Sequence, residues 1–308
     1  MKNILVVDPI AVSGIKALEE AGFRVDQGLA LLETNQKQYH GVIIRSATIA
    51  NKEFIEKVLI PDETESRIIA SAGMGFDNID LEEATARNIL VVNVPRGNEN
   101  AVAELTIGLL FALLRKIPYI DRELKGGRWI KSEIRGCELL GKTLGIIGFG
   151  RIGRLVAKKA KALGLRVLAY DPYIQAKEEW VSSVDLETIL ENSDIISLHV
   201  PKNKETANLL NREALQKMKL GAVLINTARG GIVDETALYD FLIHGPIAGA
   251  AFDVSEKEPP LKERKALYQL DNFIGTQHTA GQTEEAEENI AKNVAETVIE
   301  YLKDSVIR

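Results

Sequence analysis

The sequence predicts an α/β protein built from two doubly wound parallel-sheet domains, one inserted into the other. Three observations carry this. Short apolar runs of strand length alternate with segments of helical spacing along the whole chain, a pattern that gives parallel sheets covered by helices on both faces. Midway, an apolar strand passes into a helix through a turn holding Gly148, Gly150 and Gly153. A long amphipathic segment at residues 284–302 then follows the last strand, and since the helices of the first half end near Pro95, it is expected to return and pack on the first domain.

The totals permit such an arrangement. With 308 residues, 45% of them hydrophobic and 27% charged, the chain can fill two cores and keep a polar surface. A net charge of −6 without a long basic run argues against nucleic acid and anionic membranes as partners. The single cysteine, Cys137, can form no internal disulfide, so nothing calls for an oxidising compartment. Only residues 4–7 are apolar before Asp8 and Pro9, too few for a signal peptide, and a cytoplasmic location is expected.

In chain order, residues 4–7 read as a buried strand, 15–21 as a helix stopped at Gly22, and 23–25 as a strand. Strand 42–44, helix 51–58, strand 67–70, helix 81–87 and strand 89–93 follow, with no glycine fingerprint after the first strand. Residues 100–114 are apolar nearly all round, with Asn100 as a possible N-cap. Such a helix is buried, but it is too short for a membrane span and contains Glu104. Its burial can be internal or against a second copy, and its position between two domains favours a part in a dimer contact. Residues 122–135 are charged and irregular, with Gly126, Gly127 and an exposed Trp129.

The central turn has its context. Strand 144–147 precedes it, helix 154–163 follows and stops at Gly164, and strand 165–170 ends at Asp171. Gly148 permits the tight turn, Gly150 lets backbone approach a pyrophosphate, and Gly153 lets helix and strand pack closely. The phosphates would face a helix N-terminus. A carboxylate at Asp171 accepts hydrogen bonds from a ribose diol and repels a 2′-phosphate, so the cofactor is predicted to be NAD. Helix 185–191, strand 194–200, helix 212–219 capped by Asn211, strand 222–226, helix 235–244 and strands 248–253 and 273–276 complete a Rossmann sheet. Residues 98–280 are thus the expected NAD-binding domain, inserted into a flavodoxin-like substrate-binding domain of residues 1–97 and 281–308.

Ligands of open parallel sheets bind beyond the carboxyl ends of the strands. The residues there are Arg45 and Ser46, Gly73 and Gly75, His199, Asn226 to Gly231, Asp253 and His278. Hydride transfer from an alcohol needs a group to take the hydroxyl proton, and histidine suits that task. Of the four histidines, His40 falls in a loop and His244 at a helix end, where it complements the dipole. His199 reads equally as a contact to the cofactor ribose or as a satisfied strand-end residue. His278, after a buried strand, is favoured as acid/base over a structural role. A carboxylate beside it would raise its pKa and fix its tautomer, and Glu258 and Asp253 are the candidates. Among the charges of Ser255 to Pro260, Glu258 by itself reads as a solvated surface group. Arg229, in a glycine-flanked turn, offers a fork for a carboxylate, with a surface ion pair as the alternative. Neither a zinc signature nor a Walker phosphate loop is present in the sequence, so no metal is expected.

Several stretches together resemble the NAD-dependent D-2-hydroxyacid dehydrogenase family over essentially the whole chain. They are residues 44–48, 72–80, 101–105, 141–153, 226–234 and 251–254. Within the family the likeness is greatest to the short phosphoglycerate-oxidising branch without a C-terminal regulatory domain. The resemblance implies oxidation of D-3-phosphoglycerate to 3-phosphohydroxypyruvate, the first step of serine biosynthesis. It implies that His278 takes the hydroxyl proton, that Glu258 supports the imidazolium, and that Arg229 holds the substrate carboxylate and carbonyl. It further assigns Asp253 to the nicotinamide amide, Asp171 to the adenosine ribose, and Gly73 and Gly75 to the substrate carboxylate. Arg45, Ser46 and Asn98 match the positions that receive the phosphate. Arg151 and Ile152 in the glycine turn, together with Thr227, complete the expected cofactor set alongside His199.

The loop around Gln277, His278, Thr279, Ala280 and Gly281 differs from the Pro-His-x-Gly common in the family. With about thirty residues after His278, serine feedback through an appended domain is not expected. A small-molecule substrate and a homodimer or dimer of dimers are expected. The alternatives are a glyoxylate or hydroxypyruvate reductase and, from another class, an NAD-sensing corepressor-like binding protein.

Overall fold

In the computed structural model the described residues are 1–30, 38–61, 65–73, 75–76, 78–94, 96–260 and 262–304. Met74 and Asp77, within the stretch of residues 72–80, and Pro95 lie outside them. The chain divides into two compact units, Met1–Asn98 with Gln282–Arg308, and Glu99–Gly281.

The first unit has, among the described residues, a five-stranded sheet in the order β2-β1-β3-β4-β5. The strands are β1 (Asn3–Val6), β2 (Arg24–Gln27), β3 (Gly41–Ile44), β4 (Ile68–Ser71) and β5 (Leu90–Asn93). All neighbours run parallel. Every residue of β3 and β4 is buried, whereas edge strand β2 has no buried residue and exposes Arg24 and Gln27 at its two ends, as expected when only the inner strands are covered on both faces.

On one face of that sheet Ile4, Val6, Ile43 and Ile68 meet Leu18 of helix α1 (Val12–Glu20) and the final helix. On the other, Leu5, Val42, Ile44 and Ile69 meet Ile55 and Val58 of α2 (Lys52–Val58) and Ala84 of α3 (Leu81–Ala86). The side chains of Asn51 and Asp80 cap these last two helices by accepting from Phe54 N–H and Glu83 N–H. The final helix, Glu284–Asp304, contributes Ile290, Val294, Val298 and Leu302 to the core of this unit. It approaches α1 closely at Gly14, where a Cβ would lie 2.6 Å from the Ala291 carbonyl oxygen.

The second unit carries a seven-stranded sheet among the described residues, in the order β12-β11-β10-β9-β6-β7-β8. Its strands are β6 (Thr143–Ile147), β7 (Arg166–Tyr170), β8 (Val181–Ser183), β9 (Ile195–Leu198), β10 (Val223–Asn226), β11 (Gly249–Phe252) and β12 (Phe273–Gly275). The order reverses at β6, which pairs with both β7 and β9; ligands are expected at the carboxyl end of such a switch point. The three-residue edge strand β8 was not expected from the sequence, because Ser182 and Ser183 are exposed and give it no apolar signal.

Helix Glu99–Leu114 starts one residue before Asn100, which therefore lies in its first turn and donates to Glu104 Oε1 rather than capping the end. Ala103, Leu109, Leu110 and Leu113 pack with Leu144, Ile146, Val223 and Ile225, so this helix helps fill the core of its own unit. Residues 122–125 of the segment expected to be irregular belong instead to helix Ile117–Lys125; Pro118 sits in its first turn, where a missing N–H costs nothing. Trp129 is 78% exposed. Among the described residues no helix is long and apolar enough to cross a membrane.

Candidate active site

The glycine turn is built as its spacing demands. Gly148 has φ +94°, and a Cβ there would meet the His199 carbonyl oxygen at 2.5 Å; one on Gly153 would meet the Gly148 carbonyl oxygen at 2.2 Å. Nothing lies within 4 Å of a Cβ placed on Gly150. Gly150 is also the N-cap of helix Arg151–Ala162 and supplies no side-chain cap, and Arg151 and Ile152 form the helix's first turn. The N–H groups of a helix's first turn, with the positive end of its dipole, suit a phosphate.

Asp171 follows β7 beside this turn. Its Oδ2 accepts from Phe149 N–H at 2.8 Å, and its Oδ1 from Tyr173 and Ile174 N–H at 2.9 and 3.0 Å. The carboxylate is thereby fixed, and a carboxylate offers about four acceptor sites in all. Among the described residues, only one of the two ring nitrogens of His199 has a partner. Its Nε2 lies 2.8 Å from Ser197 Oγ, while Nδ1 is buried without a partner. Burial pushes its pKa down to about 3, so it is neutral at pH 7.

Two expected cofactor contacts look different in the structure. The Thr227 side chain is buried, and its Oγ1 lies 2.8 Å from Thr106 Oγ1, which donates on to the Val102 carbonyl oxygen at 2.8 Å. That hydroxyl therefore ties the strand-end turn to helix Glu99–Leu114. Asp253, read as a nicotinamide contact, is 1% exposed, and both its carboxylate oxygens hold the histidine loop. Its Oδ1 accepts from Thr276 Oγ1 and from Thr279 N–H at 3.0 Å, and its Oδ2 from Ala280 N–H at 2.8 Å. The Asp253 carbonyl oxygen takes the His278 N–H at 2.7 Å.

This clamp matters because His278 has φ +55°, a left-handed conformation that a side-chain-bearing residue keeps only when its surroundings enforce it. The imidazole Nδ1 lies 2.7 Å from Glu258 Oε2. The hydrogen bond to Glu258 raises the pKa of His278, against burial and the charge of Arg229, with the Glu258 and Asp253 charges adding to the rise. The Glu258 pKa is lowered: burial opposes this, but the His278 hydrogen bond and charge, the Ser255 N–H and the Arg229 charge outweigh it. Both shifts favour a carboxylate beside an imidazolium and leave Nε2 as the proton-exchanging atom.

Arg229 is carried by an Asn226 turn: Asn226 Oδ1 accepts from Ala228 N–H at 3.0 Å, and its Nδ2 donates to the Arg229 carbonyl oxygen at 3.0 Å. The neighbouring Gly230 has no room for a side chain, since a Cβ would come within 1.8 Å of the Ser255 carbonyl oxygen. The Ser255 loop carries Glu258 and is held in turn by Glu235, 3% exposed, whose Oε1 accepts from Glu256 N–H at 2.6 Å. Nothing local in the sequence marks Glu235, which looks like an ordinary acidic residue in a first helical turn.

The expected substrate residues belong to the first unit. Arg45 and Ser46 follow β3 and Gly73 follows the adjacent β4, where Ile44 is paired with Ser71. Asp8, absent from the expected set, organises this corner: its Oδ2 accepts from Arg45 N–H at 2.5 Å and its Oδ1 from Thr48 Oγ1 at 2.9 Å. The Arg45 guanidinium donates through Nη1 to Glu287 Oε1 at 3.3 Å and to the Pro9 carbonyl oxygen at 3.4 Å. Gly73 O accepts from Val94 N–H at 3.0 Å, and Gly75 O from Ser71 Oγ at 2.7 Å. Asn98 Oδ1 is buried without a partner.

An open glycine cradle, a fixed carboxylate after the next strand and an unpartnered buried ring nitrogen beside the turn fit a dinucleotide. The fold and site thus define a dinucleotide-binding protein with a paired histidine and glutamate. Residues 107–280 match the family described as D-isomer specific 2-hydroxyacid dehydrogenase, NAD binding domain. D-3-phosphoglycerate dehydrogenase of Archaeoglobus fulgidus is 42% identical over 99% of this chain and 58% of its own length. Hydroxypyruvate reductase of Thermotoga maritima is 43% identical over 85% of this chain and 84% of its own. The crystal structure of Aquifex aeolicus D-lactate dehydrogenase complexed with NAD and lactic acid superposes with a TM-score of 0.83 at 29% identity, covering 99% and 96% of the two chains. The chain belongs to the D-isomer specific 2-hydroxyacid dehydrogenase family and carries its NAD-binding domain. It spans 58% of the length of the archaeal phosphoglycerate dehydrogenase.

Proposed function

We propose that the chain catalyses reversible hydride transfer between NAD and C2 of a D-2-hydroxy acid, with D-3-phosphoglycerate as the substrate. The observation that carries the chemistry is the 2.7 Å contact between His278 and Glu258, with the charge of Arg229 felt by both. NAD, when bound, supplies the hydride acceptor. His278 Nε2 takes the hydroxyl proton as C2 is oxidised and returns one in the reverse direction. Glu258 accepts from Nδ1–H, fixes the tautomer and stabilises the imidazolium. Arg229 anchors the substrate carboxylate and polarises the forming carbonyl. Arg151, Ile152 and Gly150 offer backbone N–H groups to the pyrophosphate, and Asp171 favours NAD over NADP. Arg45 and Ser46, with Asn98, receive the phosphate tail, and Gly73 and Gly75 receive the carboxylate.

A second reading, reduction of hydroxypyruvate or glyoxylate, is favoured by one observation. Arg45 is engaged by Glu287 and is not held ready for a dianion. Steady-state oxidation of D-3-phosphoglycerate and D-glycerate, with NAD and with NADP, separates the two. We expect D-3-phosphoglycerate with NAD to be preferred, Arg45→Ala to abolish that preference, and His278→Asn to lower kcat by about 10²- to 10⁴-fold. Equal use of D-glycerate, with a preference indifferent to Arg45→Ala, would reduce the assignment to the broader activity.

A further inference from the structure

Arg45 is held at both backbone ends. Its N–H is taken by Asp8 Oδ2 at 2.5 Å, and its carbonyl oxygen accepts from Asn78 Nδ2 at 2.9 Å. With the backbone clamped, the reach of the guanidinium is set, and the group it meets is Glu287 on the first turn of helix Glu284–Asp304, Nη1 to Oε1 at 3.3 Å. That helix is anchored two ways nearby: Ala286 is buried, and Ser13 Oγ donates to Glu288 Oε2 at 2.6 Å. The Arg45 and Glu287 side chains are 29% and 46% exposed. An ion pair that exposed is weak and exchanges its partner readily.

An anionic substrate tail reaching Arg45 must therefore displace one carboxylate and then sit beside it. An uncharged tail meets an arginine whose charge is already balanced. We propose that Glu287 is a specificity-determining residue, an internal counter-ion that lowers the preference of the Arg45 corner for a phosphorylated over an uncharged substrate tail. The inference rests on the assignment of Arg45 as the tail receptor. It predicts a broader tail tolerance than an unopposed arginine would give, and it accounts for how one corner can serve substrates with and without a phosphate.

The test is the ratio of kcat/KM for D-3-phosphoglycerate to that for D-glycerate, in the wild type and in Glu287→Gln, Glu287→Ala and Glu287→Asp. In the Gln and Ala variants the ratio should rise about threefold to tenfold, through a lower KM for the phosphorylated acid and not through kcat. The Asp variant, which restores the charge, should move the ratio back towards the wild type. In an Arg45→Ala background the Glu287→Gln effect should shrink below about twofold, because the pair then has no cation. A ratio that is unchanged or lower in both Gln and Ala variants overturns the proposal, and so does a change carried by kcat alike for both substrates. The substrate assignment fails separately, on the wild-type ratio and its response to Arg45→Ala. A wild type without phosphate preference whose ratio rises in Glu287→Gln would sustain the role of Glu287.

Discussion

The two sheets share an architecture and differ at one equivalent place. In each, the first strand of the unit lies at the point where strand order reverses: β1 between β2 and β3, β6 between β7 and β9. After β6 the chain turns through Gly148 and Gly150, and a Cβ on Gly150 would face open space. After β1 it turns through Asp8 and Pro9, and the Asp8 carboxylate takes the Arg45 N–H and the Thr48 hydroxyl. One switch point is left open to a ligand's phosphates, while the other is filled by an anion of the protein's own. Topology supplies the crevice, and the residues just past the strand decide its occupant.

The comparison breaks most visibly at Gly150. Gly150→Val should leave the melting temperature close to wild type, since nothing surrounds the new side chain, yet weaken NADH binding by about 100-fold or more. Fluorescence titration with NADH gives the answer, and an unchanged Kd would mean the cradle is not where the pyrophosphate lies. Next come the two carboxylates that organise strand-end loops. Asn in place of Asp253 turns an amide donor towards donors, so Asp253→Asn should lower kcat by about tenfold to a hundredfold through displacement of His278. Asp8→Asn, making the same change in the first unit, should cost about 1–3 kcal/mol of stability in a denaturant titration while NADH affinity persists. If Asp8→Asn also weakened NADH binding, the contrast between the two switch points would be lost.

The smallest effect concerns pH. The pKa of His278 is raised by its hydrogen bond to Glu258, and oxidation needs the neutral ring, so the rising limb of kcat/KM follows that raised pKa. Glu258→Gln removes the charge that favours the imidazolium, and the limb should move to lower pH. A limb that stays in place, or moves upward, would show that another group sets it.

How much of this could be read beforehand depended on range. The glycine turn, Asp171 and the position of His278 were legible because each is a local pattern: a strand, a turn and a residue type. Glu258 was legible only through the family resemblance, because by itself, among Glu256, Lys257 and Pro259, it reads as solvated; its partner lies twenty positions later in the chain, 2.7 Å away. Asp253 was noticed for its place at a strand end, but a buried carboxylate that accepts from backbone N–H groups cannot be told from one awaiting a ligand until those N–H groups are located. Glu287 carried no signal on a helix rich in glutamate. In the fold, strand β8 escaped because Ser182 and Ser183 give it no apolar signal, whereas helix Ile117–Lys125 was missed although Ile117, Ile120 and Leu124 recur at helical spacing.

The closing helix gives the chain an unusual order of completion. Ile290, Val294, Val298 and Leu302 belong to the same core as Ile4, Val6 and Ile43, yet all of Glu99–Gly281 is made between them. A ribosome delivers the first unit's sheet early but withholds one of its covering layers until nearly the end of this sequence. The uninterrupted second unit can form while the first still lacks that layer. Bringing the two parts together across so long an insert is inexpensive, because closure entropy grows only with the logarithm of loop length, about 0.6 kcal/mol per doubling. The consequence is kinetic. In the interval, the face of β1, β3 and β4 that awaits the helix is apolar and uncovered, and the nascent chain is most open there to a chaperone or to a wrong partner.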